Sequence, residues 1–147
     1  VIPRGKPYEG RLCFRNIIEQ ASHSIFIRDS YCRPMILDIL LEYLLDNNDL
    51  EIKILMGENP RLPPFQASFE AFKQQYPQFN IEARYSASRD IDHPRYILID
   101  NQLLFNPDHS IDQWGKKTVN IHQFTDPKEI QKAKTQLFTE WKNAIPI

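Results

Sequence analysis

The run Tyr96-Ile97-Leu98-Ile99 constrains this chain more than any other stretch. It is apolar without interruption, with His93-Pro94-Arg95 before it and Asp100-Asn101 after it. These are the marks of a buried strand over 95–99. A strand with no polar face needs both faces covered, which calls for helices on each side of a sheet. Side chains alternate along a strand, so His93 and Arg95 share a face, with Ile97 and Ile99 beyond them. An imidazole and a guanidinium pointing the same way at a strand mouth suit an oxyanion, phosphate above all.

The rest of the chain supplies such a sheet. Cys13, Phe14, Ile17, Ile18 and Ala21 fall on one face of a helix over 9–22, followed by a short strand over 24–29. Pro34 suits the first turn of a second helix, 34–47, whose wide apolar arc implies burial against both a sheet and another helix. A strand at 50–56 and a proline-rich loop at 57–64 come next. Phe65, Phe69, Phe72 and Tyr76 then form a helical stripe that Pro77 stops, ahead of a strand at 81–85 and a polar loop to Asp92. Asp100-Asn101 reads as a two-residue hairpin turn into a strand at 102–106. An irregular loop, 107–117, leads to an edge strand at 118–124 with Val119 and Ile121 inward. Asp126, Pro127 and Glu129 open a last helix, with Ile130, Ala133, Leu137 and Trp141 as its stripe. This order predicts an α/β fold, a mixed, mostly parallel sheet flanked by helices, with antiparallel pairing at the later hairpin.

At 147 residues the chain suits one domain with a single core, an arm or linker at 1–8 and the domain proper at 9–147. A start without Met is expected to mean a piece of a longer polypeptide. Net charge is −1, so contact with a polyanion has to be a local patch rather than a basic surface all round. No apolar run reaches membrane-spanning length and no signal-peptide core opens the sequence, so a cytoplasmic location is the expectation. Cys13 and Cys32 lack metal spacing and are expected to be free thiols in a reducing compartment. His109 and His122 do not approach ligand spacing, so no metal is predicted, and no glycine-rich nucleotide loop points to a cofactor.

His93, Arg95 and Asp100 also match the spacing His-x-Lys-x4-Asp, with Arg95 in the Lys position, and so resemble the phospholipase D superfamily signature. In that family the His attacks phosphorus, the Lys holds a phosphate oxygen and the Asp supports the site. The resemblance implies those roles for His93, Arg95 and Asp100 and a single phospholipase D-like half as the fold. The family's tail, Gly-Ser-x-Asn, is replaced by Pro107-Asp108-His109-Ser110, without the Gly or the Asn. Ile27-Arg28-Asp29-Ser30-Tyr31-Cys32-Arg33, with Tyr85-Ser86-Ala87-Ser88 ahead of His93, is similar to the phospholipase D-like C-terminal domain of MIT-domain adaptor proteins. It is also similar to bacterial domains with a His-Asp-Arg motif and a Gly-Lys-Lys loop, Pro94 standing in place of the Asp. Those adaptor domains are non-enzymatic and contact acidic lipids.

Ser110, Lys116, Lys117 and Arg33 are further candidate ligand contacts, the two lysines if their loop folds over the strand mouth. Arg28 and Arg89 are weaker ones. Against this stands a structural reading in which Arg95 pairs with Asp29, Asp90, Asp92 or Asp100. The leading expectation is a degenerate module that binds a phosphate-bearing ligand, either an acidic lipid headgroup or a nucleic-acid backbone, and partner protein domains within a larger system. One alternative is a homodimeric phosphodiesterase or nuclease using His93 from each chain across a two-fold axis. The other is a structural protein–protein adaptor.

Overall fold

β1 (Ser24–Arg28) lies in the interior of the sheet and organises what surrounds it. In this computed structural model, which describes residues 1–87 and 94–147, β2 (Glu51–Gly57) and β3 (Asn80–Ser86) run parallel to β1. Parallel neighbours need crossover connections, and α2 (Met35–Leu44) and α3 (Leu62–Gln75) provide them. On its other side β1 pairs antiparallel with β4 (Tyr96–Ile99), and β5 (Leu103–Pro107) and β6 (Ile121–Gln123) continue outward. The sheet order is β6-β5-β4-β1-β2-β3-β7, where β7 (Ile145–Pro146) closes the edge beyond β3. The sheet is mixed, as expected, but parallel pairing is confined to β1–β2–β3. The other four pairings are antiparallel: β4 and β5 are joined by a tight turn, and β7 reaches the edge beyond β3 after α4 (Pro127–Asn143).

Both faces of the sheet are covered. On one, Ile25, Ile27, Ile54, Ile97 and Ile99 pack against α1 (Pro7–Ile18), α2 and α3 through Phe14, Leu40 and Phe65. On the other, Phe26, Leu55 and Leu98 meet Ala133, Leu137 and Trp141 of α4 (Pro127–Asn143). Burying a side chain such as Leu137 contributes about 2 kcal/mol. Asp126 caps α4 by accepting from the Lys128 amide at 2.9 Å. The hairpin turn forms where expected, with Asp100 and Asn101 at φ 53° and 57°. Both residues there have to be left-handed, which Asp and Asn tolerate better than most.

Several boundaries differ from the sequence expectation. α3 begins at Leu62 rather than Phe65, because Pro63 and Pro64 sit in its first turn, where a missing N–H costs nothing. The edge strand expected over 118–124 shortens to β6, and Val119 pairs instead with Ile2. Ile2 is 6% exposed and exchanges two backbone hydrogen bonds of 2.8 Å with Val119. The opening residues, read as an arm, are thus tied to the domain, and α1 starts at Pro7 rather than Glu9. Gly10 lets α1 approach the loop after β5: a Cβ there would lie 2.1 Å from the Trp114 carbonyl oxygen.

Candidate functional site at the strand rim

The carboxyl ends of β1 and β2 and the beginning of β4 meet at one rim of the sheet, since Arg28 of β1 lies opposite Tyr96 of β4. Such rims are where open α/β sheets gather ligand-binding side chains. Arg95, just before β4, sits here, half-buried. Its Nε donates to Ser110 Oγ at 3.3 Å and its Nη1 to the Asp108 carbonyl at 3.4 Å. The backbone is held too, as Asn106 Nδ2 donates to the Arg95 carbonyl at 2.6 Å. Among the described residues Arg95 forms no ion pair, so the expected alternative of a bridge to Asp29 or Asp100 is absent. Asp90, Asp92, Arg89 and His93 lie outside the described residues.

Asp29 is the pivot beneath. It follows β1 directly, is 1% exposed and accepts from Ser110 Oγ at 2.8 Å, from the Ile111 amide at 2.8 Å and from the Tyr31 amide at 3.1 Å. One hydroxyl therefore links carboxylate and guanidinium, with Ser110 donating to Asp29 and accepting from Arg95. The chain Asp29–Ser110–Arg95 aims a cation without cancelling it by direct contact. Asp29 was legible as a strand-end acid, but its partnership with Ser110 was not. No local pattern links residues so far apart in sequence.

Arg33 is not free to serve as an anion contact. Its Nε lies 2.6 Å from Oδ2 of Asp112, a carboxylate that is 3% exposed and would be costly to leave alone. Lys116 and Lys117 are exposed, and they line a cleft with His109 and Arg4 rather than touching Arg95. Gly115, at φ 82°, makes the turn that presents them. Cys13 and Cys32 are both free thiols. Burial pushes the Cys32 thiol well up, and the nearby Asp29 carboxylate adds to the effect.

Asp100, expected to support the site, stands at the other end of β4, about 16 Å of extended chain from Arg95. Its carboxylate accepts from the backbone amides of Ser22, His23 and Ser24 at 2.7–3.1 Å and from the Ser22 hydroxyl. It is a clamp on the turn between α1 and β1. Partial burial raises its pKa, but the amides of Ser24, Ser22 and His23 and the Ser22 hydroxyl outweigh that and hold it below the usual value. A depressed pKa means stability that is fully present above the unfolded value of about 4 and is lost as pH falls below it and through the lower value of the folded state. Asp100→Asn, which tolerates the same left-handed φ, should therefore cost about 1 kcal/mol at pH 7 and less near pH 2. Urea denaturation of both proteins at the two pH values measures this, and an equal difference at both would refute it.

No protein-family model matches the chain, and no curated protein does. Solved structures do resemble it. Nuc from Salmonella typhimurium, described as a phospholipase D family member, superposes with a TM-score of 0.69 at 20% identity, covering 95% of this chain and 92% of that one. The fold is phospholipase D-like. NucT from Helicobacter pylori gives 0.68 at 12% identity, covering 100% and 96% of the two chains. TrmBL2, an archaeal chromatin protein with a novel mode of DNA binding, gives 0.66 at 17% identity, matching all of this chain and 52% of its own length. Among the described residues, no helix is long and apolar enough to cross a membrane.

Proposed function

We propose that this phospholipase D-like domain holds a phosphate-bearing ligand at the strand rim without cleaving it, as a module that works with partner proteins in a larger system. The observation that carries this reading is Arg95, hydrogen-bonded by Ser110 and the Asp108 carbonyl and free of any ion pair among the described residues. A guanidinium held at its Nε keeps terminal N–H groups available for a planar, doubly hydrogen-bonded oxyanion. Loss of catalysis is supported by the sequence: Arg95 replaces a compact ammonium with a fork, and the family's Gly and Asn are missing from the tail around Ser110. His93 is then a second ligand contact.

The test is a titration with a fluorescent dinucleotide carrying one phosphodiester. Arg95→Glu is expected to weaken binding at least tenfold, in line with roughly 1.5–3 kcal/mol for a charge-assisted contact. Unchanged affinity would overturn the reading and leave a structural adaptor. A second reading, a homodimeric phosphodiesterase, is favoured by the near end-to-end match with Nuc. Turnover of a chromogenic phosphodiester that disappears in His93→Ala would establish it instead.

A further inference from the structure

Arg4, His109, Gln113, Lys116, Lys117 and Thr118 line an open cleft of about 520 Å³ with no acidic side chain in its wall. It begins beside the proposed phosphate site, because His109 lies between Asp108 and Ser110, the two residues that hold Arg95. Its far end is Lys116, which also lines a second cleft together with Tyr8 and Arg11 of α1. The cleft exists because residues 1–6 are pinned across the loop after β5, through Ile2 to Val119 and the Lys6 amide to the Gly115 carbonyl at 2.8 Å. Along this path the exposed cations Arg4, Lys6, Arg11, Lys116 and Lys117 outnumber the exposed acids Glu9, Asp38 and Asp108, and Glu42, which shares a cleft with Tyr8 and Arg11, is paired with Arg15. Asp112 is neutralised by Arg33, and the Asp108 carboxylate is engaged by Asn120 at 3.0 Å. A chain of net charge −1 has thus gathered a local excess of cations, a cationic track around this cleft.

We infer that this track binds single-stranded nucleic acid, its backbone running from Arg95 past His109 and Lys117 to Arg4 and Lys116, with a base stacked on Tyr8. The inference rests on the proposed phosphate site as the start of the path. Tyr8 is 73% exposed on the helix surface and lines a cleft with Lys116 and Arg11, so its ring is open to a base held by those cations. A cationic groove beside an exposed ring is how proteins hold unpaired strands, because every base offers a face for stacking. A duplex hides those faces. A lipid surface is flat and cannot follow lysines set in a concave wall.

The experiment uses the whole chain, labelled oligothymidylate of twelve nucleotides, a duplex of equal length, phosphatidylserine vesicles, and the dinucleotide as a separate probe of Arg95. Arg4→Glu/Lys117→Glu changes two exposed side chains that make no ion pair among the described residues, so the fold is preserved. It is expected to weaken twelve-nucleotide binding at least tenfold and to lower the salt slope by about 1.4, at roughly 0.7 per phosphate contact. Tyr8→Ala is expected to lose about tenfold with the salt slope unchanged, because stacking releases no counterions. Dinucleotide affinity should stay the same in both variants. Unaltered oligonucleotide binding in both, or tighter binding to duplex or vesicles than to the single strand, overturns the inference. Loss of dinucleotide binding in Arg95→Glu alone bears on the phosphate site and leaves this test separate.

Discussion

Glu140→Ala is expected to destabilise the domain by about 3–5 kcal/mol, the largest effect of any single exchange considered for it. Arg28 ends β1 with a side chain only 2% exposed, its Nη2 lying 2.9 Å from Glu140 Oε1 of α4 and its Nη1 donating to Ser30 Oγ at 2.8 Å. Removing the carboxylate leaves the guanidinium, only 2% exposed, without its partner at the wall of a cleft between β4 and α4. The cost comes from that orphaned charge more than from the attraction lost, so Arg28→Met/Glu140→Leu should return most of the stability. Guanidinium denaturation of the two variants reads the difference directly. A single variant within 1 kcal/mol of the parent, or a double variant worse than the single, would show that the pair is not electrostatically buried. Arg28 directly precedes Asp29, so the pair also holds α4 against the strand that carries the pivot of the proposed site.

The second large effect is expected from Asp29→Ala, at about 3–4 kcal/mol, because three donors lose their acceptor together. Two of them, Ser110 Oγ and the Ile111 amide, are themselves buried, so the penalty is that of unsatisfied groups rather than of exchanged ones. Asp29→Asn keeps one oxygen as an acceptor and should cost roughly half as much. Asp29→Ala also releases the hydroxyl that holds Arg95, so its dinucleotide affinity should fall in step with stability. Denaturation midpoints alongside dinucleotide titrations provide the check. Full affinity in a destabilised Asp29→Ala protein would mean that Arg95 is positioned without Ser110.

Much of the scaffold was legible from residue order, for reasons that are local. The 4-3 spacing of Phe65, Phe69 and Phe72 puts those rings on one helical stripe whatever lies opposite, and all three are buried. Asp126 and Pro127 start a helix through their own backbone chemistry. Asp100 and Asn101 turn a hairpin because they tolerate left-handed φ. Proline was the main source of misreading. Taken as part of a loop, Pro63 and Pro64 delayed α3, and β7 is a two-residue edge strand too short to carry any alternation. Cationic candidates were visible as residue types, yet Arg33 proved to be paired and Asp100 proved to be a backbone clamp at the far end of β4.

The amino-acid order by itself determined the helices, the apolar strands and the tight turn, because periodicity and turn chemistry act between near neighbours. Only the tertiary structure decided which acid meets which base. Arg28 with Glu140, Arg33 with Asp112, and Asp29 with Ser110 join distant parts of the chain, as does the pinning of Ile2 to Val119 that walls the cationic cleft. Charge has no period, and any of several carboxylates can satisfy a given guanidinium. Which one does so depends on what the packed sheet and helices bring within reach.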